Sequence, residues 1–218
     1  MCGRFVMKDS QKKVMSDFQI QHSEVLLEPR YNISPSQEIP VIVKQDSIRR
    51  LETRQWGFIP SWSKTPKPMI NARSETVSEK PAFRQAFKKR RCLIPASGFF
   101  EWAKEDGDKQ PYFIFLKDKS SMAFAGLWEE WFAPDGKIVK TCTILTVEAN
   151  SFLQFIHHRM PVILKPENRM NWLDPDWAES SLKNFLIPID PEYMEAMKVT
   201  KRVNIPSFDK PDCIERLD

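Results

Sequence analysis

The chain has 218 residues, a formal net charge of +4, and 41% hydrophobic and 28% charged residues. That length accommodates one large domain or two small ones with a full core. No apolar run is long enough to span a membrane and the amino terminus lacks a secretory apolar region. The four cysteines (Cys2, Cys92, Cys142 and Cys213) are too scattered for a metal knuckle, and their spacing fits free thiols in a reducing cytoplasm. The modest positive balance permits a polyanionic partner without requiring one.

The chain opens Met1-Cys2-Gly3-Arg4-Phe5. Aminopeptidases normally remove an initiator Met ahead of a residue as small as Cys, which would leave Cys2 with an amine and a thiol on adjacent carbons. Their reference pKa values, roughly 7.7–8.0 and about 8.5, give both an accessible nucleophilic form near neutrality. Such an aminothiol traps aldehydes: the amine forms a Schiff base and the thiol closes on it as a thiazolidine. The plain alternative is a chance cysteine at an untidy terminus. The functional reading requires Cys2 to reach an opening.

Residues 11–18 predict a short helix, and Arg30-Tyr31-Asn32-Ile33-Ser34-Pro35 an extended segment and turn. Residues 39–44 and 50–58 predict a hairpin through Gln45-Asp46-Ser47. Residues 60–68 predict a loop carrying Trp62. Residues 78–89 predict a helix capped by Ser78, with Phe83 and Phe87 on one face. Residues 92–102 predict a strand broken at Ser97-Gly98. Strands at 111–117, 122–129 and 138–147 follow. Asn150 then caps a short helix to 156, and the tail predicts helices at 166–173, 177–186 and 191–199. Closely spaced strands with short turns favour antiparallel pairing over βαβ crossovers. The expectation is one α+β domain over residues 2–218, with a bent, barrel-like antiparallel sheet flanked by short helices.

Four stretches carry candidate chemistry. Asn71-Ala72-Arg73-Ser74-Glu75 can orient an anion and a polar substrate, although a strand cap plus a solvated ion pair is the simpler account. Glu101 sits in Phe99-Phe100-Glu101-Trp102. Pointing inward, its carboxyl rises toward neutrality and becomes a proton donor; pointing outward, it is the polar side of a strand. His157 and His158 are adjacent, so in extended chain their rings face opposite ways, which disfavours a shared metal. One imidazole as a proton carrier suits them better, with Arg159 placed to pair with a phosphate. Trp62 is either a core plug or a surface on which a base stacks. The run Lys88-Lys89-Arg90-Arg91 fits a solvated helix end. Together with Arg4, Arg73 and Arg159 it also fits a positive channel for a single strand.

These blocks, taken in order and joined by Trp56-Gly57-Phe58-Ile59-Pro60-Ser61-Trp62 and Cys92-Leu93-Ile94-Pro95-Ala96, resemble the SRAP family, the SOS response-associated peptidase domain. The resemblance runs from Cys2 to about Asn204. It implies an abasic-site sensor that crosslinks Cys2 covalently to the ring-opened sugar in single-stranded DNA, a lyase-like Schiff-base chemistry that shields the lesion. By matching positions, Cys2 is the nucleophile, Asn71 holds Cys2 and the sugar, Glu101 is the acid/base and His157 moves protons during ring opening. Arg4, Arg73 and Arg159 meet phosphates, and Trp62 stacks beside the lesion. His158 receives no role. Some relatives carry a second Trp where this chain has Ser63, so the loop here is expected to be shaped differently. The resemblance implies no cofactor, no metal and no membrane partner. A cytoplasmic monomer, nucleoid-associated when bound to DNA, is expected. Two alternatives stay open: a thiol peptidase or autopeptidase using Cys2, Glu101 and His157, and a non-catalytic single-strand binder.

Overall fold

The chain begins with an apolar strand, β1 (Phe5–Met7), followed by α1 (Gln11–Asp17), whose cap Ser10 accepts from Lys13 N. In the computed structural model, which describes residues 2–105 and 107–217, a short β2 (His22–Ser23) and β3 (Arg30–Ile33) come next. The hairpin of β4 (Glu38–Gln45) and β5 (Ile48–Trp56) turns through Asp46 and Ser47, both left-handed at φ 48° and 64°. Polar residues of this kind tolerate the primed turns that match strand twist. Then follow β6 (Asn71–Arg73), α2 (Arg84–Lys89), β7 (Arg91–Ala96), β8 (Gly98–Glu105) and β9 (Asp108–Leu116). The remainder is β10 (Met122–Phe132), β11 (Ile138–Glu148), β12 (Arg159–Pro161), α3 (Pro166–Leu173), α4 (Glu179–Lys183) and β13 (Met194–Lys198).

Five strands close on themselves. β5 pairs with β4, β4 with β7, β7 with β10 and β10 with β11, all antiparallel. β11 then returns to β5 in parallel, with Thr141 opposite Gln55 and Cys142 opposite Trp56. The expected α+β class with a barrel-like sheet is what forms. The pairing is not wholly antiparallel, because β2 and β6 also add in parallel, on β5 and β11. A second sheet, in the order β13-β9-β8-β1-β3, lies against the barrel.

A single residue, Ser97, separates β7 in the barrel from β8 in the other sheet. Gly98 makes that crossing possible: a Cβ there would lie 2.5 Å from Phe113 Cε2 and 2.6 Å from Ile114 O. Period-2 alternation then sorts the side chains. Phe5 and its cross-strand partner Phe99 face the barrel, where both meet Phe124 edge-on at 6.0 Å. Val6 and Phe100 face away, into a smaller cluster with Phe113, Val203, Phe208 and Cys213.

Three expectations are corrected. The helix expected from Ser78 begins only at Arg84, and its cap is Phe83 rather than Ser78. Pro81 supplies no N–H and disfavours helical backbone at Lys80, so residues 74–83 run as turns. The helix expected at 191–199 is instead a 3-10 turn, Pro191–Tyr193, followed by β13, which pairs with β9 from Met194–Leu116 to Lys198–Tyr112. Good helix formers yield here to an open sheet edge, and Ala196 and Met197 pack on opposite clusters as a strand requires. Residues 151–156 are successive turns, although Asn150 Oδ1 does accept from Leu153 N at 3.1 Å.

Candidate active site

The register of β1 against β8 builds the centre. Phe5 lies opposite Phe99, and Phe100 N–H donates to Arg4 O at 2.9 Å. Two residues beyond Phe99, Glu101 lies on the same barrel-facing side of β8. Glu101 is 4% exposed, so the inward orientation is the one observed. Burial pushes its carboxyl up from 4.5 to about 7.

Asn71 arrives from another direction, on β6, where it lies opposite Ile144 of β11. Its Nδ2 donates to Cys2 O at 2.9 Å. Its Oδ1 is buried and finds no hydrogen-bond partner among the described residues. That leaves an acceptor site beside Cys2.

Cys2 itself is 0% exposed, contrary to the accessible position that the sequence reading asks of it. Burial pushes its thiol well above the usual range, and the Glu101 charge adds to that. In the chain as described, therefore, Cys2 is sealed and protonated. The expected loss of Met1 concerns a residue outside those described.

His157 follows the turns that Asn150 caps. Arg159 N–H donates to its Nδ1 at 2.9 Å. A peptide N–H can only donate, so Nδ1 carries the lone pair and the neutral ring holds its proton on Nε2. Burial pushes the imidazole down to about 4, and the His158 and Arg159 charges act the same way. The two rings do not face opposite ways as expected. They stack at 4.3 Å between centroids, because strand geometry starts only at Arg159.

The expected phosphate contacts differ in their freedom. Arg73 is exposed at the end of β6. Arg4 turns into the smaller cluster, donating from Nη1 to Asn32 Oδ1 at 2.9 Å and Val203 O at 2.7 Å. Arg159 is 8% exposed and forks onto Glu75, with Nη1–Oε1 at 2.7 Å and Nη2–Oε2 at 3.0 Å. Arg73, Glu75, Glu148, Gln154, His158 and Arg159 line one open depression of ≈540 Å³.

Trp62 is 67% exposed, so it is no core plug. Its loop is tethered on both sides: Trp131 Nε1 donates to Ser63 O at 2.7 Å, and Ser61 Oγ donates to Glu129 Oε2 at 3.3 Å. Glu129 is held in turn by Arg90 at 2.6 Å. Sequence reasoning missed these tethers and the Glu75–Arg159 fork. Their partners are far apart in the chain, and each residue alone reads as an ordinary exposed polar side chain or as part of the core. Among the described residues no cluster of three or more His, Cys, Asp or Glu is arranged to hold a metal ion, and no helix is long and apolar enough to cross a membrane.

Comparison with known proteins identifies the family of the chain. The family model for SOS response associated peptidase (SRAP) matches residues 1–206. The abasic site processing protein YoqW of Bacillus subtilis is 43% identical over 222 residues, covering 99% of each chain. The abasic site processing protein HMCES of Xenopus tropicalis is 32% identical over 86% of this chain and 66% of its own. A crystal structure of a protein from Bacteroides thetaiotaomicron superposes with a TM-score of 0.91 at 30% identity, covering 100% of both chains. The chain therefore belongs to the SOS response associated peptidase family.

Proposed function

We propose that this protein processes abasic sites in single-stranded DNA by bonding them to Cys2. The observation that carries the reading is the meeting of three elements at one point: Asn71 holding the Cys2 backbone at 2.9 Å, beside a buried carboxyl whose ionisation falls near neutrality. Relatives named abasic site processing proteins, aligned over almost the whole chain, support it.

Removal of Met1 creates the α-amine at Cys2 and takes away the residue attached to it. The neutral amine attacks the sugar aldehyde carbon to give a carbinolamine. Protonated Glu101 donates to the departing hydroxyl, water leaves, and an iminium remains. The Cys2 sulfur adds to the iminium carbon, its proton returns to the Glu101 carboxylate, and the thiazolidine closes with net loss of one water. Holding amine and thiol on one residue makes closure intramolecular. A carboxyl that titrates near 7 suits both halves of this exchange.

His157, a neutral imidazole with its proton on Nε2, donates a hydrogen bond to the ring oxygen as the sugar opens. The free Asn71 Oδ1 accepts from the new amine or a sugar hydroxyl. Arg73 supplies the exposed phosphate contact, Arg4 and Arg159 being held by protein partners, and Trp62 stacks on a base. Phosphate contacts carry no sequence information, which suits a lesion that arises anywhere. The family description also names a peptidase. A thiol whose ionisation is suppressed by burial is a poor starting point for attack on an unactivated peptide bond, whereas an iminium carbon is far more electrophilic.

Cys2→Ser tests the chemistry because it keeps the amine and removes the thiol. The expected result is an adduct with abasic single-stranded DNA that appears on a denaturing gel only after borohydride reduction, whereas the parent protein gives one without it. A serine variant that crosslinks as stably as the parent would contradict ring closure through sulfur.

A further inference from the structure

We propose that Glu75 is a positioning residue for His157 and acts on it through Arg159. The inference rests on the reading of His157 as the hydrogen-bond donor to the sugar ring oxygen. Glu75 follows β6, and Arg159 opens β12 84 positions later. Glu75 takes both terminal guanidinium nitrogens of Arg159, Nη1 and Nη2, in a two-point fork at 2.7 and 3.0 Å. Arg159 Nη2 also donates to Thr146 O at 2.6 Å, inside the β11 ladder. Paired charges of this kind have a fixed direction as well as an attraction.

The same residue, through its backbone, holds the imidazole: Arg159 N–H donates to His157 Nδ1 at 2.9 Å. The ring has a second option nearby, because Nδ1 lies 3.2 Å from Arg159 O. A ring protonated on Nδ1 would donate to that carbonyl and would leave Nε2 bare. Which tautomer wins depends on whether the Arg159 peptide N–H stays aimed at Nδ1. The side chain of Arg159 is clamped at its far end by Glu75 and Thr146, and the residue pairs with Glu148 across the sheet. Loss of Glu75 leaves a nearly buried guanidinium without its carboxylate. The guanidinium then pivots about its remaining bond to Thr146 O, and the Arg159 peptide that aims at Nδ1 shifts with it.

A competing use exists for the same carboxylate. The Glu75 side chain is 44% exposed on the wall of the depression that also holds Arg73 and Glu148. There it stands where a DNA phosphate would sit if it were a mere placeholder on Arg159. The inward bond from Nη2 to Thr146 O favours the positioning role, because it fixes the fork to the sheet and leaves exposed Arg73 to meet the phosphate.

The test uses Glu75→Ala and Glu75→Gln beside the parent protein, with three readouts. Ring ¹⁵N shifts of His157 in the free protein are expected to show one Nε2–H tautomer in the parent. In Glu75→Ala they should move toward a mixture, with Glu75→Gln, which keeps one acceptor oxygen, in between. Single-turnover crosslinking by Glu75→Ala should fall to about a tenth, part of the 10²–10³ that one positioned hydrogen-bond donor supplies. Affinity for intact single-stranded DNA should stay within about twofold, and its salt dependence should not change, since no phosphate contact is lost. Unchanged ring shifts in Glu75→Ala, or affinity that rises several-fold, would overturn the proposal, the second in favour of a placeholder. Should the parent itself form no adduct, the functional reading fails, while the ring shifts of the free protein still decide the role of Glu75.

Discussion

Replacing Glu101 by Gln removes a titration without changing the shape of the side chain, and its effect on stability can be worked from the structure. Burial raises the carboxyl from 4.5 to about 7. The folded chain therefore holds more protons than the unfolded one between those values, and stability falls as pH rises across that window. The full cost of the ionised, buried carboxylate is on the order of 3 kcal/mol and is reached above pH ~7. Glu101→Gln should carry none of this slope. Relative to the parent, the variant should thus gain about 3 kcal/mol between pH 4.5 and 8, or roughly 6–12 °C in Tm for a chain of this size. His157, held down at about 4, contributes the opposite slope, with stability rising as pH climbs from about 4 to 6.5. That contribution is common to both proteins and drops out of the difference. Urea unfolding of both proteins across this pH range measures it. The same substitution should slow crosslinking more than it weakens binding, because the proton donor is gone. A stability gap that does not change with pH would refute the assignment of a proton held by burial.

Two further substitutions probe the frame around the site. Trp62→Ala should leave stability within about 0.5 kcal/mol, since the ring is 67% exposed. It should weaken single-strand binding by about 1–3 kcal/mol in a fluorescence titration, and unaltered affinity would remove the ring from the DNA path. Gly98→Ala forces a Cβ to within 2.6 Å of Ile114 O, a backbone atom that cannot swing aside. A loss of about 1–3 kcal/mol or more in urea unfolding is expected. A change under 0.5 kcal/mol would mean that the crossing between the sheets is not tightly constrained there.

Much of this architecture is legible from local pattern. The β4–β5 hairpin, the break at Ser97-Gly98 and the helix at Pro166–Leu173 all follow from alternation, turn residues and a leading proline. What local pattern cannot carry is which sheet a strand joins. Residues 91–96 and 98–105 look like one interrupted strand, yet they belong to two sheets, and the choice is made by the close approach of Phe113 and Ile114 to Gly98. Residues 194–198 read as helix because Met, Glu, Ala and Lys favour it, and only the waiting edge of β9 turns them into a strand. Glu101 was ambiguous for a similar reason: alternation gives two faces but not which one is covered. The covering of Cys2 and the clamp of Glu75 on Arg159 are long-range events with no local signature.

The central claim is that a processed Cys2 takes the sugar aldehyde into a ring. Intact-mass measurement after mixing the purified protein with abasic single-stranded DNA, without reductant, tests it most directly. The account predicts one species whose mass equals the DNA plus the chain lacking Met1, less one water, and predicts its disappearance in Cys2→Ala. A protein that retains Met1 and still forms the adduct, or an adduct that persists in Cys2→Ala, would contradict it.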